Sequence, residues 1–201
     1  MSSIKIQFEE KSKDVLIWNG QVVMSRTEEK YFEAIFSRLS YLKPSKVMEV
    51  GFGLGISAAL IQKYFKPAHH DIFEIEEGIY ADLKEFSEKQ NGVRPFLGDW
   101  QSIPNEERYD FIFYDPFDYV HQGQIRPHRP DEKAVRMKQL LKPSGVLSHP
   151  HFGDGNVPDV KGFDTVVFER MKVTPIRMAD ETYCEDVAIV YHLPQNRIRG
   201  H

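Results

Sequence analysis

An α/β fold, with helices on both faces of a seven-stranded, mostly parallel sheet and an antiparallel edge strand, is predicted by three observations. Apolar β-type runs alternate with helical stretches from residue 46 to about residue 150, which implies right-handed βαβ units. The fourth of these runs, Phe111-Ile112-Phe113-Tyr114, carries no charge on either face, as suits a strand buried within a parallel sheet. The run Val47-Met48-Glu49-Val50 passes directly into Gly51-Phe52-Gly53-Leu54-Gly55 and then into a helical stretch. That strand, glycine turn and helix are the opening unit of a Rossmann-like three-layer sandwich.

The elements follow in order. Residues 1–14 are charged and weakly patterned, and read as an arm or lid. Asp14 to Met24 reads as two short strands around Asn19-Gly20, a strong hairpin signal. Ser25 and Thr27 offer N-caps for a helix from about Glu28 to Leu42, whose Tyr31, Ile35, Phe36 and Leu39 recur at helical spacing. Lys43-Pro44-Ser45 ends it. The first core strand, Lys46–Val50, is followed by a helix over Leu54–Phe65, and Asp71–Ile75 by a helix over Gly78–Lys89. Val93–Leu97 and Tyr109–Tyr114 are the third and fourth strands, and Asp131–Leu141 is a helix with Asp131 as its cap. Val146–His149 is the fifth strand; after a Gly/Pro/Asp-rich loop, segments near Thr165–Val173 and Asp186–Leu193 close the chain as an antiparallel hairpin.

Composition sets bounds. The 201 residues fit one domain over 1–201, with residues 1–45 as an N-terminal hairpin and helix lid segment and residues 46–201 as the core. Hydrophobic content of 41% and charged content of 28% are those of a globular protein. A net charge of −4 argues against nucleic-acid and membrane-surface partners, which favour basic faces. The single cysteine, Cys184, excludes an intrachain disulfide and favours a cytoplasmic setting. The first residues lack the apolar core of a signal peptide, and no stretch has the length of a membrane span.

Cofactors of such sheets lie beyond the carboxyl ends of the strands, so the residues that end strands carry the information. Glycines let a ligand approach the backbone, and the free N–H groups of the following helix then face it. The spacing is Glu49-x-Gly51-x-Gly53-x-Gly55 rather than the G-x-G-x-x-G of dinucleotide binders. An acid before the turn suits a cofactor with cationic or hydroxyl groups better than a pyrophosphate. Strand two ends at Glu74 and Ile75, where a carboxylate can accept both ribose hydroxyls of an adenosine. Strand three ends at Asp99 and Trp100, placed to hold an adenine amino group and cover its ring, and strand four ends at Tyr114 and Asp115.

The Glu-x-Gly-x-Gly-x-Gly run resembles the first motif of the S-adenosylmethionine-dependent methyltransferases. Glu49-Val50-Gly51-Phe52-Gly53, Tyr114-Asp115 and the upstream segment Val23 to Tyr31, with its Met24-Ser25-Arg26-Thr27-Glu28, narrow this further. Over roughly residues 14–150 they resemble guanidinoacetate N-methyltransferase and its arginine N-methyltransferase relatives. The resemblance implies S-adenosylmethionine as cofactor, with S-adenosylhomocysteine as product, held at Met24, Gly51, Glu74 and Trp100. It implies that Asp115 and Glu28 grip a guanidino group of a small guanidino or amine substrate, and that backbone N–H groups near Phe152 and Gly153 hold the substrate carboxylate. Phe117, His149 and Arg126 join the expected substrate set, Glu49, Gly53, Ile75, Asp99 and Tyr114 the cofactor set. A monomer or homodimer is expected, with no metal.

Three departures qualify it: the helix between strands five and six is reduced, the segment before residue 14 is brief, and Tyr119 to Arg129 is rich in His and Arg. That loop keeps open a small-molecule O- or other N-methyltransferase with an acidic or phosphate-bearing substrate. Asp115-Pro116-Phe117 keeps open a planar amide or heteroaromatic nitrogen as the acceptor, and a cofactor-binding regulatory subunit is the non-enzyme alternative. His149-x-His151 places two imidazoles on one strand face, which a metal can use, although such pairs more often make hydrogen bonds. His69-His70 reads as a solvated loop and Cys184 as a structural thiol.

Overall fold

The computed structural model describes residues 3–104, 106–119 and 133–195. The N-terminal arm runs along the start of a later helix, Ile4 N–H donating to Ile75 O at 2.9 Å, and reaches a small antiparallel sheet of β1 (Glu10–Lys11), β2 (Val15–Trp18) and β3 (Gln21–Ser25). Asn19 and Gly20 both take positive φ, 51° and 66°, as the tight turn between β2 and β3 requires. Ser25 then opens a capping box. Its hydroxyl accepts from Thr27 N–H, while the Glu28 carboxylate accepts from Ser25 N–H at 3.0 Å. The expected helix over 28–42 is divided: a 3-10 turn at Arg26–Glu28, α1 (Glu29–Arg38) and a second 3-10 turn at Leu39–Leu42 that ends at Lys43, φ 45°.

The core follows as β4 (Lys46–Val50), α2 (Ile56–Tyr64), β5 (His69–Glu74), α3 (Glu77–Glu88), β6 (Val93–Leu97), β7 (Tyr109–Tyr114), α4 (Ala134–Leu140), β8 (Leu141–Ser148), β9 (His151–Phe152), β10 (Phe163–Arg177) and β11 (Tyr183–Pro194). The second sheet has eight strands in the order β10-β11-β8-β7-β4-β5-β6, with the two-residue β9 also pairing with β11. β4 to β8 are parallel, and β11 runs antiparallel to β8, β9 and β10. Between β4 and β7 the strand order reverses, the place where sheets of this kind open a crevice. No helix lies between β9 and β10, the reduction expected from the sequence. Asp131, the expected cap of α4, lies outside the described residues.

Strand alternation sorts the core into two faces. Phe111 and Phe113 pack with α1, α2 and α3, whereas Ile112 and Tyr114 pack with α4 and Trp100. Phe113 lies 4.9 Å from the Phe36 ring and 5.7 Å from the Phe32 ring, so the helical stripe on α1 buries against the middle of the sheet. Deleting one such ring typically costs about 3–5 kcal/mol. His70 corrects the sequence reading. It is a fully buried residue of β5 rather than a solvated loop residue, because an acid on the neighbouring strand gives its imidazole a partner. Among the described residues no helix is long and apolar enough to cross a membrane.

Candidate active site

At the crevice, β4 delivers Gly51 at φ 90°. A Cβ there would lie 2.5 Å from the Asp115 carbonyl oxygen, so the close approach of the two strand ends requires glycine. Gly53, φ 53°, takes the left-handed conformation that favours glycine, and an added Cβ there would lie 2.5 Å from the Met24 sulfur, a flexible side-chain atom. The same sulfur accepts from Leu54 N–H at 3.1 Å. This joins β3 of the N-terminal sheet to the glycine turn.

Around the turn lies a solvent-open cavity lined by Met24, Gly51, Gly53, Glu74, Ile75, Asp99, Trp100, Tyr114 and Asp115 among others. Glu74 is 5% exposed and its two carboxylate oxygens accept from Phe52 N–H (3.0 Å), Ile75 N–H (2.8 Å) and Glu76 N–H (2.9 Å). Burial raises its pKa, and these bonds oppose the rise by favouring the ionised form. Asp99 caps the 3-10 turn Trp100–Ser102 through Gln101 N–H at 2.9 Å. Trp100 is buried edge-on to Tyr114, ring centroids 5.6 Å apart.

Glu49 is the cofactor-set residue that does not reach this wall. It is fully buried, receives the Ser57 hydroxyl and lies 2.9 Å from His70 Nε2. Gln62 meets the other imidazole nitrogen at 3.0 Å. The cause is strand alternation: Met48 and Val50 pack on the α4 face of the sheet, so Glu49 points to α2. Its carboxylate is spent on structure.

A second cavity shares Val23, Met24, Asp115, Pro116 and Phe117 with the first, and adds Val22, Glu28, Phe152, Arg177, Met178 and Ala179. The two predicted carboxylates, 87 positions apart in the sequence, therefore face one space. Burial raises Glu28 to about 7, against the bond from Ser25 N–H. Enclosure pushes Asp115 well above the usual carboxylate range, and the charges of Glu28 and Glu49 push it further. Among the described residues neither carboxylate is in an ion pair. The Asp115 carboxylate makes no hydrogen bond there either, its backbone N–H alone being tied, to Val50 O at 3.0 Å.

Of the remaining expected substrate residues, Phe117 and Phe152 line the second cavity. His149 does not; it is 8% exposed and faces inward, 2.9 Å from His192 Nε2, and burial lowers its pKa. Gly153 does not either, since its N–H is already given to Asp186 O at 2.7 Å. Arg126 lies outside the described residues. What sequence reasoning missed is the far end of the β10–β11 hairpin. Its turn folds back onto β3, Val22 N–H donating to Ala179 O at 3.3 Å, and brings Arg177 and Met178 to the cavity. Both strands extend well past their apolar cores, to Arg177 and from Tyr183, and no periodicity in the polar ends signals that reach.

Residues 2–157 match the family model described as guanidinoacetate N-methyltransferase. A curated relative, malonyl-(acyl-carrier protein) O-methyltransferase of Calditerrivibrio nitroreducens, is 29% identical over 121 residues, 60% of this chain and 43% of that protein. The chain thus spans less than half the length of that relative. Among solved structures, the N-methyltransferase NodS of Bradyrhizobium japonicum, in complex with S-adenosylhomocysteine, aligns with a TM-score of 0.57 at 17% identity, over 84% of this chain and 88% of that one. The O-methyltransferase TomG of Streptomyces achromogenes, in complex with S-adenosylmethionine, aligns with a TM-score of 0.53 at 13% identity, over 83% and 80%. At such identity the two structures speak for the fold alone. The match of the family model over most of the chain, on a sheet with this switch point and glycine turn, shows that the chain belongs to the guanidinoacetate N-methyltransferase family of class I S-adenosylmethionine-dependent methyltransferases.

Proposed function

We propose that the protein is an S-adenosylmethionine-dependent N-methyltransferase whose acceptor is a guanidino group of a small molecule. The observation that carries this reading is the pair Glu28, buried, and Asp115, half-buried, two carboxylates that line one cavity with neither in an ion pair among the described residues. A buried charge is costly unless paired. The missing partner should be a cation, and a planar one with paired N–H donors meets two carboxylates best.

The first cavity fits the cofactor by its donor set. Glu74 offers buried carboxylate oxygens on the wall, Asp99 and Trp100 offer an acceptor and a ring at the next strand end, and Gly51 and Gly53 leave backbone where side chains would intrude. In this reading Glu74 accepts the cofactor's ribose hydroxyls, Trp100 covers its base, and Met24, which lines both cavities, marks the boundary across which the methyl group passes. When bound, S-adenosylmethionine supplies an electrophilic methyl group on sulfonium.

The protein's remaining task is to prepare the acceptor nitrogen. A free guanidinium, with a pKa above about 12, is a poor nucleophile. Asp115 and Glu28 bind its N–H groups, fix its plane, and aim one nitrogen at the methyl. As the N–C bond forms, the methyl–sulfur bond would break with its electron pair left on the thioether product, and a carboxylate oxygen of Asp115 takes the departing N–H proton. Holding the reactants in line can account for about 7–11 kcal/mol of the barrier. An acceptor carboxylate would instead meet two acids of like charge, which disfavours O-methylation of acids at this site.

The test is methyl transfer from S-adenosylmethionine to a panel of guanidines (guanidinoacetate, arginine, agmatine) beside matched amines, alcohols and carboxylic acids. The reading expects N-methylated guanidine as the product. Turnover confined to the alcohols or acids contradicts it.

A further inference from the structure

Aromatic packing carries the N-terminal sheet to the wall of the first cavity. Tyr119, on the segment that follows β7, is half-buried and lines that cavity together with Glu74 and Phe117. Its ring meets the Phe117 ring edge-on, centroids 5.2 Å apart, and the Trp18 ring edge-on at 5.5 Å. Trp18 is the last residue of β2, so this contact joins the small sheet to the cavity at a second point, besides the Met24–Leu54 bond. The Tyr119 hydroxyl makes no hydrogen bond among the described residues. Burial pushes its pKa up, and the charges of Glu74 and Glu76 push it further. The phenol therefore stands in the field of the carboxylate that ends β5, and it keeps its proton at neutral pH.

An ionised carboxylate only accepts hydrogen bonds. A ribose hydroxyl bound to Glu74 spends its proton there and keeps oxygen lone pairs that need a donor, and enclosing such an oxygen without one is unfavourable. The N–H groups of Phe52, Ile75 and Glu76 cannot serve, because Glu74 itself holds them. Tyr119 offers an uncommitted O–H on the same cavity. We propose that Tyr119 is a further cofactor-binding residue, its hydroxyl donating to a ribose oxygen of S-adenosylmethionine while Glu74 accepts from the same ribose, and that Trp18 is the positioning residue that holds its ring. The small sheet then acts on the cofactor through Trp18 as well as through Met24. This assignment rests on the reading of the first cavity as the cofactor site.

Calorimetric titration of the full chain with S-adenosylhomocysteine and with its 2′-deoxy and 3′-deoxy analogues tests it. Tyr119→Phe keeps the ring contacts and removes only the donor, so the melting temperature of the unliganded protein should match wild type. It should weaken S-adenosylhomocysteine about fivefold, as the loss of one neutral hydrogen bond allows. One of the deoxy analogues should bind within about twofold of its wild-type affinity, because it lacks the oxygen that Tyr119 serves. Trp18→Leu should also weaken S-adenosylhomocysteine, and should add less than about twofold in the Tyr119→Phe background, because it acts through Tyr119. Equal weakening of all the ligands by Tyr119→Phe, or weakening of none, overturns the Tyr119 assignment. A Trp18→Leu effect undiminished in the Tyr119→Phe background removes Trp18 from it. Glu74→Ala separates the two readings: if it too leaves every affinity unchanged, the first cavity does not hold the cofactor, and the assignment falls with that reading. If Glu74→Ala weakens binding and Tyr119→Phe does not, the Tyr119 assignment alone is lost.

Discussion

Glu74 and Asp115 end neighbouring parts of the same sheet and are both enclosed carboxylates, yet their surroundings are opposite. Glu74 is met by backbone N–H groups of Phe52, Ile75 and Glu76. Asp115 is met by the like charges of Glu28 and Glu49 and by no hydrogen-bond donor among the described residues. One site is satisfied before any ligand arrives. The other is complete only with a cation in place. The cofactor side is therefore built mostly locally, from strand ends between residues 50 and 115 with Met24 added from β3, while the acceptor side is assembled from β3, the capping box, β7, β9 and the turn of a distant hairpin.

The sharpest way to break this contrast is Asp115→Ala. It should lower kcat by about 10²–10⁴, the usual worth of a general base, and leave S-adenosylhomocysteine affinity within about threefold, because the cofactor side does not depend on that carboxylate. Steady-state kinetics and calorimetry on the same preparation separate the two. Glu74→Ala should do the reverse. It strips acceptors from buried N–H groups that cost about 1–3 kcal/mol each when unpaired, so product affinity should fall about 10- to 100-fold and the melting temperature should drop as well.

The pH dependence sharpens the same comparison. A carboxyl whose pKa is raised on folding is more protonated in the folded than in the unfolded chain between the two values. For Glu28, raised by burial to about 7, unliganded stability should fall as pH rises from about 4.5 to about 7 and level off above that. Glu28→Gln should flatten this decline and raise the melting temperature at pH 8 by about 3 °C or more, as read by thermal unfolding across pH. The smallest effect is expected at His149. Because it faces His192 rather than the cavity, His149→Gln should leave kcat and the acceptor KM within about twofold and cost about 1 kcal/mol of stability.

Most of the lining of the first cavity was legible because its signals are local. An apolar run followed by Gly51, Gly53 and Gly55 specifies a strand, a turn and a helix with little help from the rest of the chain, and Glu74, Asp99 and Trp100 follow from strand spacing alone. Glu49 shows where that reasoning stops. A strand end has two faces, and which one an acid takes depends on the neighbouring strand, here on His70 of β5. His149 was drawn inward for the same reason by His192, 43 positions later. Of the acceptor side, Glu28, Asp115 and Phe152 were accessible through family resemblance. Arg177 was not, because its placement depends on how far a β-hairpin continues beyond its apolar middle and where its turn packs.

The central claim, that Glu28 and Asp115 form a guanidinium site, is tested most directly by counting protons on binding. Protein saturated with S-adenosylhomocysteine is titrated calorimetrically with guanidinoacetate and with propylguanidine at pH 6, in buffers of different ionisation heat. Glu28, raised by burial to about 7, is largely protonated at that pH, and a cation expels the proton. The account predicts binding with net proton release, abolished in the Glu28→Gln, Asp115→Asn double variant. Guanidine binding without proton release, or equal binding by the double variant, would contradict it.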